Sequence, residues 1–545
     1  MAATFPPLPF SLRPCALAIA VACLAAAFAA QAQEANSADN AGPILESIQV
    51  SSNLLGTSMA ASTKNFAGAR TVVQKDDIEN SGASSVSDVM RRIPGVQISD
   101  NSGSAGSAVS LNIGVRGLAG RYSPRSTVLL DGIPMSVAPY GQPQLSFAPV
   151  SLANIETVDV VRGGGAVRFG PQNVGGIINF KTRRVPTTPG ITGDATVRYN
   201  SYSEVGHNTQ ASVFAGTQLD SGLGLAVLYS GIRGSDWRVG SDEKVNDFAL
   251  KFRYDLSPTA EVYGKLSYYD VTSRTPGGLT AAQYKQDPFQ NTRPTDFWSG
   301  ERKAFDIGYL NAISGTQEFE VRAYYNKSSR ESTLISGKNL GHQPRNYETM
   351  AVEPRYTQRF TTGKVTQDVT VGYRYLAERA DEAIYNVVIA SGVRQAPTRF
   401  ADNATDAQAV YIDDKIAIDA WRITPGVRYE HIKTERFNHL PVDQKIELLN
   451  NKALPSLNVA YLLSNNVTLF GNYNSSFGAV QNTQLNAQSS KNPLQPELAK
   501  TAELGARWKS GQLSAEATLF NIKFDNQIQS VGSGENVVFY NVGAT

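Results

Sequence analysis

The sequence predicts an all-β transmembrane barrel, antiparallel throughout, preceded by a smaller mixed α+β domain. Three observations predict it. From about residue 193 onward, apolar and polar residues alternate with a period of two in segment after segment. The connections between these segments alternate between short and long. After residue 32 no run approaches the roughly eighteen apolar residues a helical span needs, which excludes helical crossings and leaves strand crossings open.

Composition agrees with this class. The chain has 545 residues, a net charge of +2 and 41% hydrophobic residues, a balance expected when lipid-facing and lumen-facing side chains alternate. So small a net charge supplies no bulk basic field, and nucleic acid is not expected as a partner. Arg13 is the one charge ahead of the apolar run 15–30, and Ala30-Gln31-Ala32 supplies small residues for cleavage, so residues 1–32 read as a secretory signal peptide. Both cysteines, Cys15 and Cys23, fall inside it. A disulfide framework and a cysteine metal site are thereby excluded from the remainder.

Residues 33–50 form a polar leader ending in an extended patch, Leu45, Glu46, Ser47, Ile48, Gln49 and Val50. Residues 51–190 read as the compact mixed domain. Helices are predicted over 76–81 and 85–93, with Val86, Val89 and Ile93 near one face and Pro94-Gly95 as the stop. Strands are predicted over 126–131 and 155–161. Six glycines crowd between 163 and 176; without a phosphate-binding Lys-Ser/Thr pair or a dinucleotide fingerprint they predict tight turns.

Residues 191–545 carry the barrel pattern. Phe248, Leu250, Phe252, Tyr254 and Leu256 alternate with Ala249, Lys251, Arg253 and Asp255; Phe319, Val321, Ala323 and Tyr325 alternate with Glu320, Arg322 and Tyr324; Val369, Val371, Tyr373 and Tyr375 alternate with Thr370, Gly372 and Arg374. Short turns are predicted at 220–222, 257–259, 314–315, 362–363, 464–466 and 510–511, and long polar loops near 273–300, 331–345, 379–404, 435–450 and 479–497. Counting gives about fifteen strands, with 536–541 as the start of another. An open sheet leaves unpaired edges in lipid, so further strands are expected beyond Thr545.

Several stretches carry a family resemblance: Arg125-Ser-Thr-Val-Leu-Leu-Asp-Gly-Ile-Pro134, Ala138-Pro-Tyr-Gly-Gln-Pro-Gln-Leu-Ser146, Val160-Val-Arg-Gly-Gly-Gly-Ala-Val-Arg-Phe-Gly-Pro171 and Gly175-Gly176-Ile177, then 229–237, 344–347, 353–356 and 476–478. In these the chain resembles the TonB-dependent outer-membrane receptors, and among them the ferric citrate receptors. The resemblance implies a plug domain lying inside the lumen of a barrel of ~22 strands, and residence in the outer membrane of a Gram-negative cell in contact with lipid and lipopolysaccharide. It implies that Leu45–Val50 is a TonB box, which joins a TonB-type energy-transducing protein of the inner membrane by strand addition. The extra periplasmic domain of signalling members has no room between Ala32 and Leu45.

The implied cargo is ferric citrate. An iron already chelated by carboxylates needs no His or Cys ligands, and Arg, with its planar fork, suits carboxylate oxygens. The positions that match the family's ligand residues are Arg330, Arg345 and Arg399, expected on outward loops, and Ser104 at the plug apex. A further glutamine position falls near Gly532 and is not matched. No metal site is expected in the protein itself, since His207, His342, His431 and His439 form no ligand pattern. No cofactor motif and no nucleophile elbow are present, so an enzyme is not expected. The alternatives are import of another carboxylate-type ferric siderophore and, from a different class, a passive porin or adhesin barrel.

Overall fold

A computed structural model describes residues 65–98, 110–118, 125–145, 147–163, 167–170, 172–202, 204–485, 493–511, 513–531 and 537–543. The expected signal peptide (1–32), the leader with Leu45–Val50, and Ser104 lie outside these residues.

The N-terminal domain begins with β1 (Ala69–Gln74), α1 (Lys75–Asn80), α2 (Val86–Arg91), β2 (Val96–Ile98) and β3 (Ile113–Val115). It continues through β4 (Ser126–Leu130), β5 (Ile133–Pro134), β6 (Ile155–Arg162) and β7 (Gly176–Thr182). Both predicted helices are present. The second starts with a capping box: the Ser85 hydroxyl accepts from the Asp88 amide, and the Asp88 carboxylate accepts from the Ser85 amide. It turns Val89 and Met90 inward, and Gly95, at φ +77°, ends the segment after Pro94.

Five strands form one sheet in the order β1-β6-β7-β4-β5, with β4 and β7 parallel. Period two sorts β6 and β7 onto two faces. Val158, Val160, Ile178 and Phe180 join Met90 in the main core, while Val161 and Ile177 pack with Leu129 and Phe169 on the other face. Gly176 is required by close approach: at φ +150° a side chain there would run into the Val161 carbonyl on β6. Arg70 on β1 donates to Asp159 on β6 through Nε at 2.9 Å and Nη2 at 2.6 Å, and both side chains are almost wholly buried.

The remainder is a fifteen-stranded antiparallel sheet in which every strand pairs with its neighbours in sequence. The strands are β8 (Gly190–Ser201), β9 (His207–Gln218), β10 (Leu223–Ser235), β11 (Asp242–Ser257) and β12 (Ala260–Arg274). Next come β13 (Phe297–Ser314), β14 (Gln317–Ser336), β15 (Asn339–Thr362), β16 (Val365–Val388) and β17 (Arg394–Ile418). The last are β18 (Trp421–Leu440), β19 (Gln444–Leu462), β20 (Val467–Gly478), β21 (Glu497–Ser510) and β22 (Leu513–Asp525). The outer face is an exposed apolar belt: Val371, Ile412 and Val427 stand side by side on β16, β17 and β18. Their chain neighbours Gly372, Tyr411 and Arg428 face inward. No helix among the described residues is long and apolar enough to cross a membrane.

The N-terminal domain lies inside the curve of this sheet. It is bonded to the inward side chains of strands all along it: to Arg198 of β8, Lys251 of β11, Lys265 of β12, Arg302 of β13, Arg322 of β14, Thr349 of β15, Glu378 of β16, Asp413 of β17, Glu430 of β18 and Glu497 of β21. A globule that touches so many consecutive strands on one face can only occupy the lumen. Lys251, Arg322 and Arg374, assigned to the polar face of their strands by alternation, all point at it.

Asp131 is one of these attachments. Burial alone would raise its carboxyl, but the ammonium charges of Lys265 and Lys251 outweigh burial and hold it well below the usual carboxylate range. A group with a depressed folded value stabilises fully above its unfolded value of about 3.9, and that stability is lost as pH falls through the folded value. Seating of the plug is therefore expected to be insensitive to pH between about 5 and 8 as far as Asp131 is concerned. Asp131→Asn should loosen it at every pH in that window, read as faster proteolysis of the plug within the intact barrel.

Two sets of expectations are corrected. The stretches 331–345, 379–404 and 435–450 are not loops but the far ends of β14 to β19, closed by tight turns at 337–338, 389–393 and 441–443. Strands here reach 25 residues, against the roughly 9–11 that cross a bilayer. Polar hydrogen-bonded hairpins continue the barrel wall into water, and their polarity was what read as loop. The second correction concerns 536–541: β23 (Ile528–Val531) and β24 (Val538–Asn541) form a separate two-stranded hairpin rather than a further barrel strand.

Candidate functional site

Register places the expected ligand arginines. Arg330 on β14 lies directly opposite Arg345 on β15, and Arg345 lies directly opposite Glu382 on β16. Glu382 is opposite Ala401 on β17, which is opposite Asn438 on β18. All share the inward parity, because Arg322, Tyr347, Glu378, Asp413 and Glu430 on the same strands contact the plug. Arg399 pairs with Ile384, two residues beyond Glu382, and so faces inward too. The three arginines thus project from strand extensions into the lumen, not from loops as expected.

Glu382 sits between two of the cluster's guanidiniums. Arg345 Nε lies 3.7 Å from Glu382 Oε2, and Arg436 Nη2 lies 2.6 Å from Glu382 Oε1. Arg436 also donates from Nη1 to Asn403 Oδ1 and from Nε to Asn438 Oδ1, both at 2.9 Å. Arg330 lies over the Trp298 ring, 4.4 Å from its centroid, a cation–π contact that fixes the plane of the fork. Four arginines therefore lie within two residues of the Glu382 level along the strands. Like charges directly opposite on a sheet repel; beside Arg345 the Glu382 carboxylate offsets that repulsion.

The floor of this basin is the plug. Four residues below Glu382 on β16, the Glu378 carboxylate accepts from the amides of Tyr140 at 2.7 Å and Gly141 at 2.9 Å. Tyr347, two residues below Arg345, donates to Gln142 Oε1 at 2.6 Å. At about 3.3 Å per residue, the arginine level stands roughly 7–13 Å above these plug contacts along the strands. No group of three His, Cys, Asp or Glu among the described residues could hold a metal.

Arg436, Glu382 and Trp298 were missed in the sequence. The alternation Arg428, Glu430, Thr434, Arg436, Asn438 was there to be followed, but it ran into residues read as loop. Of the glycines read as tight turns, Gly163 is at φ +89° and packs against the Glu503 carboxylate, which a side chain would strike. Glu503 pairs there with Arg116.

Comparison with known proteins decides the family. The beta-barrel model of TonB-dependent receptor-like proteins matches residues 247–545, and the TonB-dependent receptor plug domain matches 62–177. The chain is a TonB-dependent receptor. This family resides in the bacterial outer membrane as plugged β-barrels. The receptor is 41% identical to the ferric citrate transporter FecA, solved in its unliganded form, with a TM-score of 0.82 over 87% of this chain and 72% of that one. It shares its fold with the ferric yersiniabactin uptake receptor FyuA from Yersinia pestis, at 17% identity and a TM-score of 0.68 over 86% of this chain and 74% of that one. Among curated relatives it is 27% identical to the vitamin B12 transporter BtuB of Vibrio cholerae over 36% of this chain; the match spans about a third, 33%, of that transporter's length.

Proposed function

We propose that this receptor imports ferric citrate across the outer membrane and is not an enzyme. The observation that carries the reading is the convergence of Arg330, Arg345, Arg399 and Arg436 above the plug apex. Planar forks at strand spacing match carboxylates of one chelated anion, each taking two parallel hydrogen bonds. Iron arrives with its ligands already in place, so the protein supplies cations rather than metal donors. The reading assigns Ser104 to the same ligand, from the family resemblance alone. Likeness to the ferric citrate transporter supports the choice of chelate. Equilibrium binding of ferric citrate beside a catecholate chelate of equal charge tests it; equal affinities would overturn the citrate reading.

Passage past the plug needs energy, and the reading assigns its delivery to a TonB-type protein of the inner membrane. Leu45–Val50 would add as a strand to that partner, through main-chain hydrogen bonds. The outer wall would sit in lipid and lipopolysaccharide. Ile48→Pro removes one amide donor from the added strand. Surface binding of ferric citrate is expected to persist in this variant while energised uptake is abolished, measured with radiolabelled iron on whole cells. Retained uptake would remove the box assignment.

A further inference from the structure

Below the outer basin the lumenal wall carries a second set of arginines. Arg322, Arg355 and Arg374 line a cavity with the plug's Arg168, and Glu320 and Glu353 are the carboxylates on its wall. The side chains of Arg322, Arg355 and Arg374 are 5%, 10% and 8% exposed. Arg322 pairs with Glu353 at 3.0 Å, Arg355 pairs with Glu320, and Arg168 grips Asp413 with two contacts of 2.7 Å. Arg355 Nη1 nevertheless remains buried without a hydrogen-bond partner. So does Nη2 of Arg428 on β18, three strands along the wall.

At rest the plug occupies the remaining donors. Arg374 Nη1 donates to the Gly170 carbonyl at 2.8 Å, and Arg428 Nη1 donates to the Val167 carbonyl at 3.3 Å. The cavity offers about 20 Å³, room for water and nothing larger. Withdrawal of the plug residues around Arg168 would free Nη1 of Arg374 and Nη1 of Arg428 beside the Nη1 of Arg355, while Glu430 keeps its contacts with Arg374 at 3.5 Å and with Arg428 at 2.6 Å. Ten residues along β15 separate Arg345 from Arg355, about 33 Å of strand. A chelate held at the outer basin cannot reach Arg355.

We propose that these arginines form an inner anion site, closed at rest by the plug, that receives the carboxylates of the passing chelate. The inference rests on the import reading above. An anion leaving the outer basin enters a passage where an unpaired charge is costly. A second cluster, hidden until the plug moves, compensates that loss, and two weaker sites in series pass cargo faster than one deep well.

Arg355→Gln and Arg355→Lys test this on whole cells, with ferric citrate binding measured without energy and initial uptake measured with it. Binding also reports assembly, because the basin exists only in the assembled barrel. Binding in the Gln variant is expected to stay within about twofold, as sites this far apart act independently. Its uptake should fall by roughly tenfold or more, the worth of one charge-assisted contact, with substantial recovery in the Lys variant. Wild-type uptake in the Gln variant would overturn the inner site. Parallel loss of binding and uptake in both variants would also overturn it, by making Arg355 a structural residue. Failure of the outer basin is distinguishable: Arg345→Ala would then leave binding untouched, whatever Arg355 does.

Discussion

Arg345→Ala combined with Arg399→Ala is expected to weaken equilibrium binding of ferric citrate by about 100-fold or more, since each charge-assisted hydrogen bond is worth roughly 1.5–3 kcal/mol. This pair is the cleanest choice. Glu382 keeps its 2.6 Å partner Arg436 in the double variant, so no buried carboxylate is stranded. Arg436→Ala would confuse the result, because Arg436 is 1% exposed and also holds Asn403 and Asn438. Isothermal titration of the purified receptor reads the effect. Arg345 is 17% exposed, so part of its contribution is screened and affinity should fall as ionic strength rises. Unchanged affinity in the double variant would remove the outer basin from the binding reaction.

The largest stability loss is expected at Asp159→Ala. Asp159 is wholly buried and receives both bonds of Arg70 across β1 and β6. Removing it takes the Asp159 carboxylate from a guanidinium with 1% exposure, and breaking one partner of such a pair costs about 3–5 kcal/mol. The thermal midpoint of plug unfolding, followed by proteolysis inside the barrel, should drop accordingly. Removing both charges, as Arg70→Met with Asp159→Leu, should recover much of the loss, because a buried pair adds little over well-packed apolar groups. Equal destabilisation in single and double variants would mean that packing alone, and not the stranded charge, sets the cost.

Much of the fold was legible because strand periodicity is a local signal. Lys251, Arg322 and Arg374 could be assigned to the wet face from alternation alone, and all three meet the plug. The capped helix after Ser85 was equally local. The hairpin ends were misread for a physical reason. Beyond the bilayer both faces of a strand are wet, so alternation fades while the backbone ladder continues, and polar residues from 331 to 345 look like loop. The β17–β18 turn at Asp419-Ala420 carried no glycine or proline and escaped notice; Asp419 itself takes the left-handed conformation, at φ +47°.

The basin divides in the same way. Arg330, Arg345 and Arg399 were reached through resemblance, and neither their register nor their partner Glu382 could be. Arg436 is 54 residues beyond Glu382 in the chain, and only pairing of β16 through β18 brings them within 2.6 Å. The sequence by itself determined that this is a strand-built membrane wall with a globule ahead of it, since burial against lipid or water imposes a period that each segment carries alone. Resemblance placed the globule in the lumen, as the structure shows; only the tertiary structure decided which inward side chains hold it there and which arginines come together beyond it. Those facts depend on which strands are neighbours and in what register, and hydrogen bonds between distant segments set both.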